Sequence, residues 1–457
     1  MSDIKKLKLT FCGGVGEVTG ANFLLEGPDI KILVDCGMEQ GTKTAATDNV
    51  APFMYDPTSI DYLFITHAHI DHTGRIPKLV KDGFKGKIYS TPATRDLALL
   101  MLEDSMKLLE REAEHENTKP LYNADDVRNS FRLWDTINYH TKTDIGHGLE
   151  VFLKDAGHVL GSSMVEFTYN GKKIVFTGDL GNTPTPLLRD TEPLTDAEYI
   201  VMESVYGDRN HESHEERVNR LEDIIEDTIH NEGALVIPVF SLEKTQVILY
   251  ELNHLVEQGK VPSVPVFLDS PLAIKITDIY EKMSDNFNDT ARAAIKKGDD
   301  IFDFPNFHMT TTSEESKHIL NVPNPKIIMA GSGMSNGGRI VHHELNYLAD
   351  PKNTLLLIGY QAVGTLGRRI EEGAKEITIL GTKVEVNAKV EKIDGYSSHK
   401  DSEHLVEFVE ADAKALKKCF VVMGETKSAM FLVQRLRDNL GINAYHPKEG
   451  ESVDLDF

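Results

Sequence analysis

Residues 66–72 read Thr66-His67-Ala68-His69-Ile70-Asp71-His72 and place four groups able to ligate a metal within six positions. In an extended segment, side chains two apart point to the same side, so His67 and His69 can face one ion while the turn beyond lets Asp71 and His72 face a second. With 18 histidines in 457 residues, independent placement would give His-x-His-x-Asp-His in about two of a thousand such chains, so a surface turn with fortuitous histidines is a poor account. Histidine is the commonest metal ligand, and a metal held by imidazoles and carboxylates is an apparatus for hydrolysis. Three more candidates follow apolar runs: Asp35 before Gly37, His158 within Ala156-Gly157-His158-Val159-Leu160-Gly161-Ser162, and Asp179 within Gly178-Asp179-Leu180-Gly181. Strand ends are places where side chains converge on a shared rim while the strands hold them rigid.

The elements that must position these residues are short. Residues 7–12, 31–35, 62–66, 87–90, 150–153, 164–169 and 173–177 are apolar and β-branched, several are bounded by Gly or Asn, and they predict strands. Residues 93–116 carry Leu97, Leu100, Met101, Met106 and Leu109 at helical spacing, which predicts an amphipathic helix with a solvated face. After about Tyr206 the pattern becomes a regular alternation: helix 214–230, strand 234–240, helix 242–258, strand 264–269, strand 326–330, a Gly-rich turn, helix 339–349 and strand 354–359. That alternation implies an α/β unit on a parallel sheet. From 376 the chain is strand-rich again, and 419–423 with the amphipathic 427–440 can return to close the first domain. A chain of this length exceeds the size of a single core, and an insertion fits best: 1–205 as the first part of one domain, 206–375 inserted, and 376–457 returning.

Composition narrows the class. With 40% hydrophobic and 26% charged residues the chain is globular. No apolar run approaches the ~20 residues of a membrane helix, and Met1-Ser2-Asp3-Ile4-Lys5-Lys6 offers no apolar leader core, so the expected location is cytoplasmic. Cys12, Cys36 and Cys419 lie far apart without a Cys-x-x-Cys pair and read as buried, reduced thiols. The net charge of −23 counts against a polyanionic partner, because nucleic-acid affinity usually rests on a basic footprint. Local field matters more than net charge, however, and divalent ions with a few arginines can make one cleft attractive on an acidic body.

Taken together, an Asp after a strand, His-x-His-x-Asp-His, a downstream His and a downstream Asp resemble the metallo-β-lactamase superfamily. The resemblance implies a four-layer αββα sandwich with two zinc ions at one edge. It makes His67, His69 and His158 ligands of one ion, Asp71 and His72 ligands of the other, Asp179 the bridge, and Asp35 a carboxylate that orients the site from behind. Met202-Glu203-Ser204-Val205-Tyr206-Gly207-Asp208-Arg209 is similar to motif A of the β-CASP branch, with Glu203 as its carboxylate. Gly395-Tyr396-Ser397-Ser398-His399-Lys400-Asp401 is similar to motif B, with His399 as its histidine. Gly331-Ser332-Gly333-Met334, Gly337-Gly338-Arg339, Gly359-Tyr360-Gln361 and Gly364-Thr365 resemble the Gly-rich segments of the inserted β-CASP domain. The match spans essentially the whole chain and is most like the RNA-processing members, typified by the endonuclease of messenger 3′-end formation and its prokaryotic relatives. It implies zinc-dependent hydrolysis of RNA phosphodiester bonds, with Asp71, Glu203 and His399 catalytic and His399, poised by Glu203, protonating the departing 3′-oxygen. Glycines let backbone N–H groups approach phosphate, so Ser332, Gly333 and Arg339 are candidate phosphate binders.

One position breaks the pattern. Motif C of the RNA nucleases ends a strand with histidine, whereas this chain has Met423, a neutral thioether unsuited to zinc. The second zinc site is thereby weakened: a water fills the vacancy, Glu425 or His446 substitutes, or occupancy falls. Family members acting on DNA also lack this histidine, which keeps DNA as an alternative substrate. Thioester or lactam hydrolases share the histidine cluster but need no insertion of ~170 residues, and a non-catalytic RNA-binding subunit needs no His399. RNA is the expected partner, a homodimer is left open, and no membrane is expected.

Overall fold

Leu7, Leu9 and Phe11 alternate with Lys8 and Thr10, and the chain answers with the strand Lys6–Gly13, whose apolar side is buried. The computed structural model describes residues 6–41, 44–362 and 364–457. Residues 1–5, all but the last of the stretch 1–6 read for a leader, lie outside them. The chain divides into two compact units, one of Met1–Asn210 with His399–Phe457 and the other His211–Ser398.

The first unit holds two seven-stranded sheets. In spatial order one comprises Ser452–Asp456, Lys6–Gly13, Asn22–Glu26, Lys31–Val34, Tyr62–Phe64, Lys87–Ser90 and Trp134–Thr136. The other comprises Ala444–Tyr445, Lys418–Val421, Tyr199–Met202, Lys172–Phe176, Ser163–Tyr169, Leu149–Asp155 and Thr143–Gly146. Their inner faces form one core: Leu9, Phe11, Phe23, Val34 and Phe64 meet Val165, Phe167, Phe176, Val201 and Phe420. Phe64 meets Phe167 edge-on at 5.2 Å, and Phe11 lies 5.3 Å from Phe420, in the ring-to-ring range aromatic pairs prefer. On the outer face of the second sheet, Leu405 and Val409 of the helix Ser402–Glu410 and Leu432 and Leu436 of the helix Thr426–Leu440 cover Val175, Ile200 and Val421. Each such leucine contributes about 1.5–3 kcal/mol by burial. Outside the first sheet, the helix Pro92–Glu116 packs on the strand Trp134–Thr136. The αββα sandwich is thus complete.

The second unit is built on a six-stranded parallel sheet in the order Phe307–Met309, Val266–Asp269, Lys326–Ala330, Ala234–Pro238, Thr354–Leu357 and Lys389–Lys392. Its central strands are buried at every position, as a sheet covered on both faces requires. The unit extends past the return point at 376: Lys389–Lys392 pairs with Thr354–Leu357, so the chain stays in this sheet until Ser398. The hairpin of Glu376–Ile379 and Thr382–Glu385, strand-rich in sequence, belongs to the same unit. Cys12, Cys36 and Cys419 are buried and unpaired by disulfide. No helix among the described residues is long and apolar enough to cross a membrane.

Candidate metal centre

The strand Tyr62–Phe64 runs into the loop that carries His67 and His69, and the one-turn helix Ile70–Thr73 then presents Asp71 and His72. That turn is pinned by backbone hydrogen bonds, Cys36 N to His72 O (2.8 Å) and Ala21 N to Asp71 O (2.9 Å). Close approach there demands glycine: a Cβ on Gly37 would stand 1.5 Å from Asp71 O. His158 sits in the turn after Leu149–Asp155, its N–H donating to Ser162 Oγ at 3.0 Å. Asp179 follows Lys172–Phe176 through Gly178, whose φ of +54° and contact with the Thr66 side chain leave no room for a Cβ.

The sandwich thereby brings three distant stretches together. His67, His69, His158 and Asp179 form one group of potential ligands, and Asp71, His72 and Asp179 form another, each with ligand atoms within 4.8 Å of one another. His69 Nδ1 lies 3.1 Å from His67 Nε2 and 3.3 Å from His158 Nε2, and Asp179 Oδ2 lies 3.5 and 3.6 Å from the same two nitrogens. Tetrahedral zinc with bonds near 2.0–2.1 Å needs ligand atoms about 3.3 Å apart. The second carboxylate oxygen, Asp179 Oδ1, turns to His72 Nε2 at 3.4 Å, and Asp71 Oδ2 lies 3.8 Å from that nitrogen. Both His72 Nε2 and Asp179 Oδ1 are buried without a hydrogen-bond partner among the described residues, which a cation between them would remedy. Donor chemistry, spacing and these two unsatisfied atoms all fit a metal pair bridged by Asp179. Behind the site, Asp35 Oδ2 lies 2.8 Å from His72 Nδ1 and accepts from Thr66 Oγ1 at 2.8 Å, while Oδ1 accepts from Thr66 N at 2.8 Å. That contact orients the His72 ring with Nε2 toward Asp179.

The electrostatics are those of a cluster balanced around positive charge. Burial holds His67 well below the ordinary imidazole range, and the charge of His72 pushes the same way. At His72 burial also opposes the charged form, but Asp179, Asp35 and Asp71 outweigh it and hold the ring well above its usual value. Asp179 would be raised by burial, yet His72 and His67 hold it well below the carboxylate range. Next to the cluster, His399 Nδ1 lies 3.1 and 3.2 Å from the two oxygens of Glu203. Glu203 is fully buried, accepts from Leu180 N at 2.6 Å, and is raised by that burial against the pull of His399. His399 is 23% exposed, so substrate can reach it.

Residues 15–229 match the metallo-beta-lactamase superfamily, 245–370 the Beta-Casp domain, and 383–447 a Zn-dependent metallo-hydrolase RNA specificity domain. The chain is 34% identical over 420 residues to ribonuclease TTHA0252 of Thermus thermophilus, covering 92% of this chain and 94% of that one. The chain belongs to the β-CASP branch of the metallo-β-lactamase superfamily. It is also similar to transcription termination factor FttA of Methanosarcina mazei, at 32% identity over 98% of this chain and 72% of that one. An RNase J-like protein of Methanocaldococcus jannaschii is 31% identical over 97% of this chain and 98% of its own. A solved structure from Enterococcus faecalis, a protein of unknown function, shares the fold with a TM-score of 0.58 at 13% identity, over 98% of this chain and all of that one.

Met423 stands where the sequence resemblance implies a histidine. It follows the strand Lys418–Val421 with a left-handed φ of +44°, is buried, and packs its thioether against Gly14. A small pocket that it lines is shared with His72, Asp35 and Glu203. Among the described residues neither proposed substitute joins the ligand groups: Glu425 is exposed and His446 Nδ1 lies 2.9 Å from Val421 O.

In the second unit the candidate phosphate binders have partners within the fold. Arg339 is committed to the fold, donating from Nη1 to Asp269 Oδ1 (2.7 Å) and Thr310 O (2.9 Å), and from Nη2 to Thr311 O (3.0 Å). Ser332 Oγ accepts from Asn336 N at 3.2 Å within its own turn, and Gly333 is glycine because the Phe240 ring occupies the space of a Cβ. Two features were not read from sequence: the strand Tyr199–Met202, an unbroken apolar run that carries Glu203 to the site, and Thr66, the only hydroxyl directly before the histidine cluster, which clamps Asp35.

Proposed function

We propose that this chain is a zinc-dependent ribonuclease that hydrolyses RNA phosphodiester bonds and works in the cytoplasm, with RNA as its partner. The observation that carries the reading is the sharing of Asp179 by a four-donor and a three-donor group beside the Glu203–His399 pair. Supporting it is the likeness, nearly end to end, to a ribonuclease and to an RNase J-like protein.

His67, His69, His158 and Asp179 Oδ2 would hold one zinc, and Asp71, His72 and Asp179 Oδ1 the other. Zinc held there would lower the pKa of water toward ~7 and would offset negative charge on the phosphoryl oxygens. Asp179 fixes the separation of the two groups, and Asp35 keeps His72 in the tautomer that presents Nε2. His399 donates Nδ1–H to Glu203, which sets the ring so that Nε2 exchanges its proton with substrate. As an oxygen from water bonds to phosphorus and the bond to the 3′-oxygen breaks, that proton passes to the departing 3′-oxygen, and the Glu203 carboxylate stabilises the imidazolium beforehand.

Replacing His399 with alanine tests the reading. Zinc content measured by mass spectrometry should match wild type while cleavage of labelled RNA falls at least ~100-fold. Cleavage at the wild-type rate would remove His399 from the chemistry. Absence of RNA cleavage by zinc-replete wild type, with turnover of a lactam or thioester instead, would replace the ribonuclease reading.

A further inference from the structure

Three loops of the second unit leave its parallel sheet at the same edge: 239–243 after Ala234–Pro238, 331–339 after Lys326–Ala330, and 358–362 after Thr354–Leu357. In open parallel sheets ligands enter the crevice beyond the carboxyl ends of the strands. These loops touch one another. Gln361 Nε2 donates to Gly333 O at 3.0 Å, and Gly333 lies against the Phe240 ring.

Lys244, the first residue of the helix Lys244–Glu257, reaches into this junction. Its stem crosses Phe240, with Nζ 4.3 Å from the ring centroid. The ammonium then rests on Gly359, where φ is +123° and a Cβ would lie 2.2 Å from Nζ. Gly359 therefore keeps open the space in front of the cation. Among the described residues Nζ makes no hydrogen bond and no ion pair, which sets it apart from the buried lysines Lys326, Lys154 and Lys400. Lys326 donates to Ile319 O and Val322 O, Lys154 to Pro193 O and Thr195 Oγ1, and Lys400 to Gly181 O and Thr183 Oγ1. A partly desolvated cation without an acceptor is costly unless a ligand supplies one. Burial pushes the Lys244 amine down to about 8, with Asp394 the only charge pulling the other way. The guanidinium of Arg339, the other cation of the junction, is already consumed by Asp269.

We propose that Lys244 binds a backbone phosphate of the RNA strand, taking in the second unit the role that sequence alone assigns to Arg339. The ammonium contacts a non-bridging phosphodiester oxygen, Gly359 lets the phosphate approach the backbone, and the Phe240 face holds the lysine stem. This inference rests on the ribonuclease reading above, because it takes RNA to be the ligand.

The test uses the full-length zinc-loaded chain with His399→Ala to stop cleavage, and a 5′-hydroxyl single-stranded RNA of twenty nucleotides as probe. Its dissociation constant is followed by fluorescence anisotropy across a salt series, with and without Lys244→Met or Lys244→Arg. Lys244→Met should weaken binding roughly five- to tenfold and reduce the log–log salt slope by about 0.7, the value of one phosphate contact on a single strand. Lys244→Arg should keep the slope. Unchanged affinity and slope in Lys244→Met overturn the assignment, as does equal weakening by both variants with an unchanged slope, which marks packing rather than charge. Thermal melting of each variant separates either outcome from misfolding. If wild type cleaves RNA while Lys244→Met binds like its parent, only the Lys244 assignment falls; if wild type neither binds nor cleaves RNA, the ribonuclease reading falls and takes this subsite with it.

Discussion

Met423→His should convert the three-donor group into a four-donor one. Position 423 has a φ of +44°, a region in which histidine is several-fold enriched over most other non-glycine residues, so the backbone accepts the change. The side chain lines the pocket that also contains His72 and Asp35, which places an imidazole from 423 beside the deficient group. Loss of a supporting hydrogen-bond partner costs a metal site about 10–100-fold in affinity, and a direct ligand is worth at least as much. The expected gain is therefore about 1.4–2.7 kcal/mol or more for the second ion. Equilibrium dialysis against graded free zinc, with metal per chain counted by mass spectrometry, reads this directly. Wild type should load in two steps, the group of His67, His69, His158 and Asp179 first and that of Asp71 and His72 at least ~10-fold later in free zinc. In Met423→His the two steps should merge. Superimposable isotherms would refute the reasoning, because they would mean that the vacancy beside His72 either does not exist or is already filled.

Asp35→Asn places an amide against His72 Nδ1 and favours the tautomer that protonates Nε2. Zinc affinity of the second site should fall about 10–100-fold while the first still loads, and equal loss at both sites would contradict the assignment. Gly178→Ala forces a left-handed alanine against Thr66; it should cost about 1–3 kcal/mol and release zinc, and an unchanged melting temperature would show that the loop yields. In the second unit, burial would raise Asp269, but donation from His343, Ser316, Thr310 and Arg339 outweighs it and holds the carboxyl at about 2. A folded-state pKa below the unfolded one stabilises above about pH 4, and that contribution of about 1–2 kcal/mol is lost as pH falls through about 2. Urea unfolding of wild type should therefore show an acid step that Asp269→Asn lacks, and parallel pH profiles would refute it.

The candidate metal cluster was legible because its chemistry is written in residue types: His67 to His72 sit in one stretch, and His158 and Asp179 stand at the ends of apolar runs flanked by glycine. The strands that carry them announce themselves by alternation or apolar continuity. Tyr199–Met202 did not, since four apolar residues in a row are equally good as a buried loop or a helix fragment. The end of the second unit was misplaced by about twenty residues because Lys389–Lys392 carries three charges in four positions and joins its sheet only as an edge strand. Arg339 and Lys244 show the deeper limit. Sequence shows a cation near glycines, but only the packing shows that one guanidinium is spent on Asp269 while the lysine across the junction has no acceptor among the described residues.

Anomalous diffraction at the zinc absorption edge, from crystals of zinc-loaded protein, tests the central claim most directly. The account predicts two peaks, each about 2.0–2.2 Å from an Asp179 oxygen, one ringed by His67, His69 and His158 and the other by Asp71 and His72. A fully loaded, RNA-cleaving crystal form whose zinc lies away from Asp179 would contradict it.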